Sequence, residues 1–426
     1  MAAKDKQTNQ GERSPLKLGI NGLGRIGKLS VWHHVARGYF SGLAVNIGRE
    51  AGGGLEDIAS YIERDSTYGY LGQYLYGNKA GRVIENLNEE HGTFEVNGIP
   101  VTVLRKDRNP KDLPWRSLGV PLVVDATGKF LDPTAPPDQK NGSIQGHLEA
   151  GAKKVIVSAP FKIKDKALSM PQDAATMVIG INDDHYHANR HRMISAASCT
   201  TTCLAFMVKP LLDYFGADRI LSASMVTVHA ATGSQEVLDR LPDPKSKDLR
   251  KNRSIMNNII LTSTGAAKAL GLVIPEMKRI GFIAESVRIP TSTGSLIILV
   301  MNIQDESPEH PVNRGTINQV YQKASETYMS KYLRYSNRQN VSSDIIGTPY
   351  AAAVIEGEET HTRTAHICVD LSKIPGLRPE ALPKGGPCPV EIPVTQAVIY
   401  GWYDNELGSY TNMMGDLTVK IAEGLQ

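Results

Sequence analysis

The chain has 426 residues, with 47 lysines and arginines against 44 aspartates and glutamates and a formal charge of +3. A composition 41% hydrophobic and 21% charged excludes a disordered or fibrous protein, and the length predicts two domains, three at most. Balanced charge and only 6% aromatics give no basis for nucleic acid or an anionic membrane as the main partner.

Residues 1–15 are polar, lack the apolar segment of a signal peptide, and are expected to form a flexible tail. A strand over Lys17–Asn21, a helix over Arg25–Ala36 ending near Gly38, and a strand over Leu43–Ile47 make a βαβ start. Thr93–Leu104 predicts a hairpin turning at Asn97-Gly98. The apolar runs Leu122–Asp125 and Lys154–Ser158, with a helix over Ile144–Ala150 between them, continue the alternation. The expected fold class is therefore α/β, a Rossmann-type doubly wound parallel sheet. After Ile194 the pattern changes. A helix from Cys199 to Tyr214 is expected to kink at Pro210. Strands over Arg219–His229, Glu285–Ile289, Ser295–Ile303 and Thr364–Asp370, joined by long connections, predict an α+β domain with a mixed or antiparallel sheet. Pro242–Arg253 is a basic loop, and the chain ends in a strand at Val398–Tyr400 and a helix from Asn405 to Ala422. Three segments rich in Pro, Gly and Lys, at 131–142, 161–173 and 374–393, are expected as surface insertions. The apolar run Leu296–Met301 is too short for a membrane span. The four cysteines, Cys199, Cys203, Cys368 and Cys388, are too sparse for a disulfide framework and suit a reducing compartment, so a cytoplasmic location is expected.

Gly22-Leu23-Gly24-Arg25-Ile26-Gly27 is a G-x-G-x-x-G directly after a strand and opening a helix. The first glycine permits the tight turn, the second lets a pyrophosphate approach the backbone, and the third lets the helix pack on the strand. The acidic residue that normally follows about 20 residues later has no clear counterpart. The second strand runs into Arg49-Glu50, so Glu50 could bond a ribose or Arg49 could meet a 2′-phosphate. The coenzyme is accordingly NAD or NADP.

Ser198-Cys199-Thr200-Thr201-Thr202-Cys203 places a cysteine among small hydroxyls at a helix start. The positive helix end lowers a thiol pKa, and free N–H groups can hold an oxyanion. Cys203, one helical turn on, is expected to pack in the core. His229, at the end of the run Met225–Val228, is the histidine placed to act as base for the thiol. No metal site is expected.

The segments Lys17–Gly27, Asp65–Gly69, Val155–Pro160, Ser198–Thr201, Thr227–Ala230, Ser263–Lys268, Val287–Thr291 and Trp402–Glu406 together resemble phosphorylating glyceraldehyde-3-phosphate dehydrogenases, in family order. The resemblance implies attack by Cys199 on an aldehyde with His229 as base, hydride transfer to the coenzyme, and cleavage of the thioester by inorganic phosphate. It implies that Thr232 and Arg288 hold the substrate phosphate and that Ser198, Thr200, Thr264 and Gly265 hold the attacking phosphate, with Arg250 and Arg253 near both. On the coenzyme side it implies Asn21, Arg25 and Ile26 at the pyrophosphate and adenosine, Arg108 near the adenine, Thr127, Gly128 and Ser158 near the nicotinamide ribose, and Asn405 at the carboxamide. It further implies a homotetramer. The expected domains are 16–197 with 402–426 for the coenzyme and 198–401 for catalysis.

The chain departs from the family pattern at Ala196 and Thr202, where the family has Asn, and after Glu406. These departures and the extra length suggest a divergent, longer member. Two alternatives accompany the leading reading: erythrose-4-phosphate dehydrogenase, which opens the thioester with water, and a non-catalytic nucleotide-binding protein on the same fold.

Overall fold

In the computed structural model, which describes residues 13–244, 246–376 and 390–425, the chain starts with β1 (Ser14–Asn21), α1 (Arg25–Arg37) and β2 (Phe40–Asn46). Ser14 and Pro15, expected in the tail, are already part of β1; residues 1–12 lie outside the described residues. α2 (Leu55–Glu63), a short ladder of β3 (Arg64–Asp65) with β4 (Gly69–Tyr70), and α3 (Leu71–Tyr76) follow. Next come β5 (Ile84–Asn88), β6 (Thr93–Val96), β7 (Ile99–Leu104), α4 (Trp115–Leu118), β8 (Leu122–Asp125), α5 (Ile144–Glu149), β9 (Lys154–Val157), β10 (Ala174–Thr176) and β11 (Met193–Ser195). Asn97 (φ 52°) and Gly98 (φ 68°) are both left-handed, the geometry a two-residue hairpin between β6 and β7 requires.

These strands form one sheet in the order β10-β11-β9-β8-β1-β2-β7-β6-β5. It is parallel from β10 to β7, and β6 and β5 are added antiparallel. Every residue of β8 and β9 is buried, as expected for parallel strands covered on both faces. The chain leaves β1 on one side as β2 and returns on the other as β8. The carboxyl ends of these three strands, Asn21, Asn46 and Asp125, therefore meet at the point where the strand order reverses.

The described residues up to Ser198 and from Tyr410 on make one compact unit, and Cys199–Ser409 makes the second. It contains α6 (Cys199–Phe215), β12 (Ile220–Ala230), β13 (Ile260–Thr262), α7 (Ala266–Val273), β14 (Gly281–Ile289), β15 (Ser295–Gln304), α8 (Arg314–Glu326), β16 (Leu333–Ser336), α9 (Ser342–Ile345), β17 (Ala353–Glu356), β18 (His361–Val369) and β19 (Val390–Tyr403). Its sheet runs β13-β14-β12-β15-β19-β17-β16, with β18 also on β19. β12 and β14 are parallel, as are β16 and β17; the other pairs are antiparallel. β15 alternates strictly, burying Ile297, Leu299, Met301 and Ile303 completely. Leu204 to Val208 of α6 are equally buried, with Pro210 inside the helix.

The final helix α10 (Asn412–Glu423) belongs to the first unit, where Asp416 pairs with Arg37 of α1. It starts later than the expected Asn405. The Asp404 carboxylate accepts the backbone N–H groups of Glu406, Gly408 and Gly347, each at 2.9 Å, and the chain passes through a π-helical turn over Leu407–Thr411 before α10. Segment 131–142 is irregular, and residues 377–389 of the third expected insertion, Cys388 among them, lie outside the described residues. Cys199 and Cys203 are free thiols, but Cys368 is disulfide-bonded, which the sparse cysteine count did not anticipate. No helix among the described residues is long and apolar enough to cross a membrane.

Candidate functional site

In the first unit the G-x-G-x-x-G turn follows β1 directly. Gly22 takes φ +95°, and a Cβ there would sit 2.9 Å from Thr127 Cγ2. A Cβ on Gly27 would overlap the Gly22 carbonyl, whereas Gly24 has open space in front of it. Gly24 is the N-cap of α1 and offers no side-chain acceptor, so first-turn N–H groups and an empty cradle face the same place. These features fit a pyrophosphate. Arg25 and Lys28 both pair with Asp65, Lys28 at 2.7 Å, and Asp65 Oδ1 also accepts the N–H groups of Thr67 (2.9 Å) and Tyr68 (3.1 Å). The Arg25 and Lys28 contacts hold the Asp65 carboxyl well below the usual range although burial opposes them. Ile26 is half-buried in the same first turn.

Two adjoining clefts, of about 630 and 310 Å³, open beside this turn. Asn21, Gly22, Arg108 and Thr127 line the smaller, Leu23 and Gly24 the larger, and Ile47 and Arg49 both. Glu50 lines a different depression and pairs with Arg105 at 3.4 Å. Arg108 is fastened to the Gly48 carbonyl through Nε at 2.9 Å. Gly128 is exposed at φ +66°, and Ser158 donates its backbone N–H to the Asp125 carbonyl at 2.9 Å.

Beneath the clefts lies a buried network that sequence inspection missed. Asp125 Oδ2 accepts from Asn21 Nδ2 (2.7 Å) and His147 Nε2 (3.0 Å), and Oδ1 accepts from the Thr127 N–H (3.0 Å) and hydroxyl (2.6 Å). Asn21 Oδ1 in turn accepts from Asn46 Nδ2 at 2.7 Å, and Asn46 Oδ1 accepts the Gly48 N–H at 3.1 Å. The available signal was Asp125 itself, an acid closing an apolar strand just before Ala126-Thr127-Gly128.

In the second unit α6 begins at Cys199, and β12 carries His229 near its end. Cys199 Sγ and His229 Nε2 are 3.4 Å apart. His229 Nδ1 lies 2.8 Å from the Ala230 carbonyl and must donate to it, which leaves Nε2 as the acceptor facing sulfur. Burial, helped by Arg288, pushes the imidazole down to about 3. Burial pushes the Cys199 thiol up, against Arg288 and hydrogen bonds from Thr200. The lowering expected at a helix start is thus outweighed by the loss of water around sulfur. Both shifts favour a neutral thiol facing a neutral imidazole, with the acceptor in place. Tyr403, also missed, bonds Thr200 at 3.0 Å and Thr227 at 2.8 Å and fixes the first turn of α6 to β12. Cys203 is fully buried, 3.9 Å from the Gly401 carbonyl.

Arg288 stands opposite His229 in the parallel β12–β14 register. Its Nη1 donates to the Ala230 carbonyl at 3.2 Å, while its Nε is buried without an acceptor, as is the Thr291 hydroxyl. A half-buried guanidinium with an unused donor suits an anion. Thr232 donates its N–H and hydroxyl to Gln235 Oε1, each at 2.9 Å. Thr264 accepts the Ala266 N–H at 3.2 Å, and Gly265, the N-cap of α7, is exposed. Arg250 and Arg253 are not joined to this group; they are exposed and pair with Asp248 (2.8 Å) and Asp239 (3.0 Å) of their own loop. Asn405 accepts through Oδ1 from Ser295 (2.9 Å) and Thr293 (3.1 Å), so its amide hydrogens point away from both. In the first unit, Ala197 directly precedes Ser198 in the left-handed region at φ 53°, and its carbonyl accepts from Tyr410 Oη at 3.2 Å.

Residues 16–133 match the model of the glyceraldehyde 3-phosphate dehydrogenase NAD binding domain, and residues 198–371 match that of its C-terminal domain. A glyceraldehyde-3-phosphate dehydrogenase 2 of Streptomyces avermitilis is 34% identical over 96% of this chain and 99% of its own length. A glyceraldehyde-3-phosphate dehydrogenase 2 of Bacillus subtilis is 36% identical over 81% of this chain and 87% of its own. A glyceraldehyde-3-phosphate dehydrogenase of Borreliella burgdorferi is 34% identical over 96% of this chain and 100% of its own.

Proposed function

Because the chain belongs to the glyceraldehyde-3-phosphate dehydrogenase family, we propose that it oxidises and phosphorylates glyceraldehyde 3-phosphate to 1,3-bisphosphoglycerate, reversibly. The observation that carries this reading is the 3.4 Å Cys199–His229 contact beside a guanidinium with a spare buried donor. The Cys199 sulfur adds to the aldehyde carbon as its proton passes to His229 Nε2, and the imidazolium returns a proton to the new alkoxide, giving a thiohemiacetal. The burial of His229 and the desolvation of the partly buried Cys199 sulfur favour this concerted transfer over a preformed ion pair. His229 then takes the hydroxyl proton as the carbon loses hydride, leaving a thioester on Cys199. When bound, the nicotinamide coenzyme supplies the hydride acceptor. Inorganic phosphate attacks the thioester carbon, the C–S bond breaks, and the product leaves as an acyl phosphate while Cys199 regains its proton.

Arg288 and Thr232 bind the substrate phosphate in this reading, and Ser198, Thr200, Thr264 and Gly265 receive the incoming phosphate. Asn405, held through its oxygen, offers its amide hydrogens to the carboxamide. The test is the initial rate of reduced coenzyme formation with and without phosphate. A rate independent of phosphate overturns the reading in favour of a hydrolytic aldehyde dehydrogenase acting on erythrose 4-phosphate. Coenzyme binding without turnover points to a non-catalytic protein.

A homotetramer accompanies this proposal. Ser224 and Val226 of β12, Ile283 and Glu285 of β14, and Leu261 of β13 share one face by register. Val226, Leu261 and Ile283 on it are 38%, 56% and 66% exposed. An open apolar sheet face of this kind suits a second copy of the chain. The cytoplasm is the proposed location.

A further inference from the structure

In a βαβ dinucleotide fold, a carboxylate just beyond the second strand bonds the adenosine ribose and repels a 2′-phosphate; an arginine there accepts that phosphate. Here Ile47 follows β2, and the next carboxylate, Glu50, is 73% exposed, paired with Arg105, and outside both clefts. Arg49 lines both clefts and makes no hydrogen bond or ion pair among the described residues. Two more cations, Arg108 and Lys129, line the smaller cleft. Arg108 is seated by its bond to Gly48, where φ is +64° and a Cβ would meet Arg108 Cγ at 2.9 Å, so this turn is shaped around the arginine. The one carboxylate lining either cleft is Asp57, and it already accepts the Gly53 N–H at 2.6 Å.

We infer that the adenosine-ribose subsite takes a 2′-phosphate, that NADP is the preferred coenzyme, and that Arg49 is the residue that selects it. This rests on the proposed dehydrogenase reading for its setting, but its own content is the charge at the end of β2. Asp57 lines the larger cleft only; in the smaller one a phosphate dianion meets Arg49, Arg108 and Lys129 and no carboxylate, and a ribose hydroxyl there finds no acidic partner.

Calorimetric titration of the intact protein with 2′,5′-ADP and with 5′-ADP tests the inference without turnover. The wild type should bind 2′,5′-ADP at least about tenfold more tightly. Arg49→Gln should weaken 2′,5′-ADP about 10–100-fold, the worth of a charged hydrogen bond, and 5′-ADP far less. Ile47→Asp should reverse the preference by placing a carboxylate beside the ribose. Equal affinity of the wild type for the two nucleotides, or equal losses in Arg49→Gln, overturns the inference. Rates with NADP and NAD separate the two failures. Absent turnover with either coenzyme, alongside intact discrimination between the nucleotides, fails the dehydrogenase reading alone. Turnover with NAD at least as fast as with NADP, without such discrimination, fails this inference alone.

Discussion

His147 presents Nε2 to Asp125 at 3.0 Å while Trp115 Nε1 donates to its Nδ1 at 3.0 Å, and both ring nitrogens are thereby committed in a fully buried site. Nδ1 is an acceptor, so the hydrogen sits on Nε2 and the ring is a fixed donor to Asp125. Asp125 spans the ends of β1 and the Thr127 turn, so the histidine acts on the coenzyme clefts through it. It is a positioning residue, not a catalytic one.

His147→Ala should leave the Trp115 donor and one Asp125 lone pair without partners. The expected cost is about 2–4 kcal/mol of stability. It should also weaken coenzyme binding under conditions where the variant is fully folded, because Asp125, the common anchor of Asn21 and Thr127, loses the donor that orients it. Denaturant titration measures the first effect and calorimetry the second. Unchanged coenzyme affinity in the folded variant would show that the network is structural only.

His34 offers a cleaner pH test. Both its ring nitrogens are buried without hydrogen bonds, its ring meets His33 and Phe40 edge to face, and burial holds it neutral, well below its ordinary 6.5. His33 and Arg37 push in the same direction. A folded-state value depressed below the unfolded one means that the unfolded chain binds the extra proton first. Stability attributable to His34 is therefore present above about pH 6.5 and lost as pH falls below it. Replacing it with leucine should stabilise the protein more at roughly pH 5 than at about pH 8, by up to about 2 kcal/mol. Urea titrations of both proteins at the two pH values decide it. A gain of the same size at both would show that the imidazole does not titrate on unfolding.

The neutral thiol–imidazole pair makes a prediction about Cys199. If burial holds the thiol up, its alkylation by iodoacetamide should keep rising with pH through the neutral range, with no plateau below the ordinary thiol range. A plateau near pH 6 would mean a preformed thiolate and would contradict the concerted transfer. Cys203, fully buried, should stay unmodified in the native protein. Cys199→Ser should abolish hydride transfer with coenzyme affinity retained, and His229→Asn should slow it about 10²–10⁴-fold.

Much of this was legible in the sequence because the signals are local. Gly22, Gly24 and Gly27 fall on a strand–turn–helix boundary, Asn97-Gly98 marks its own hairpin, and Cys199 opens its helix as the hydroxyl cluster suggested. The unread parts depend on side chains distant in the chain. His147 looks like any other histidine until β8 and α5 bring it to Asp125, and Tyr403 until β19 brings it to Thr200 and Thr227. Arg49 and Glu50 could not be ranked by spacing, since one residue decides which side of the turn each occupies. The raised Cys199 thiol was hidden for a different reason: helix-end charge is visible in a sequence, and desolvation is not.

The exposed sheet face carries the last prediction. Val226, Leu261 and Ile283 belong to three neighbouring strands, and the residues between them on this face are few and mostly uncharged, with Glu285 the exception. Burying each such side chain against another subunit is worth about 1.5–3 kcal/mol, and a symmetric contact counts each residue twice. Placing a charge at the centre removes that gain and adds a desolvation penalty on both sides. Ile283→Asp, and separately Leu261→Asp, should therefore reduce the mass found by light scattering while leaving the far-ultraviolet circular dichroism of the subunit unchanged. Both substituted side chains point away from the core, on the face opposite His229 and Arg288, so loss of folding is not the expected cause. A variant that keeps the wild-type mass at low micromolar concentration would remove this face from the assembly.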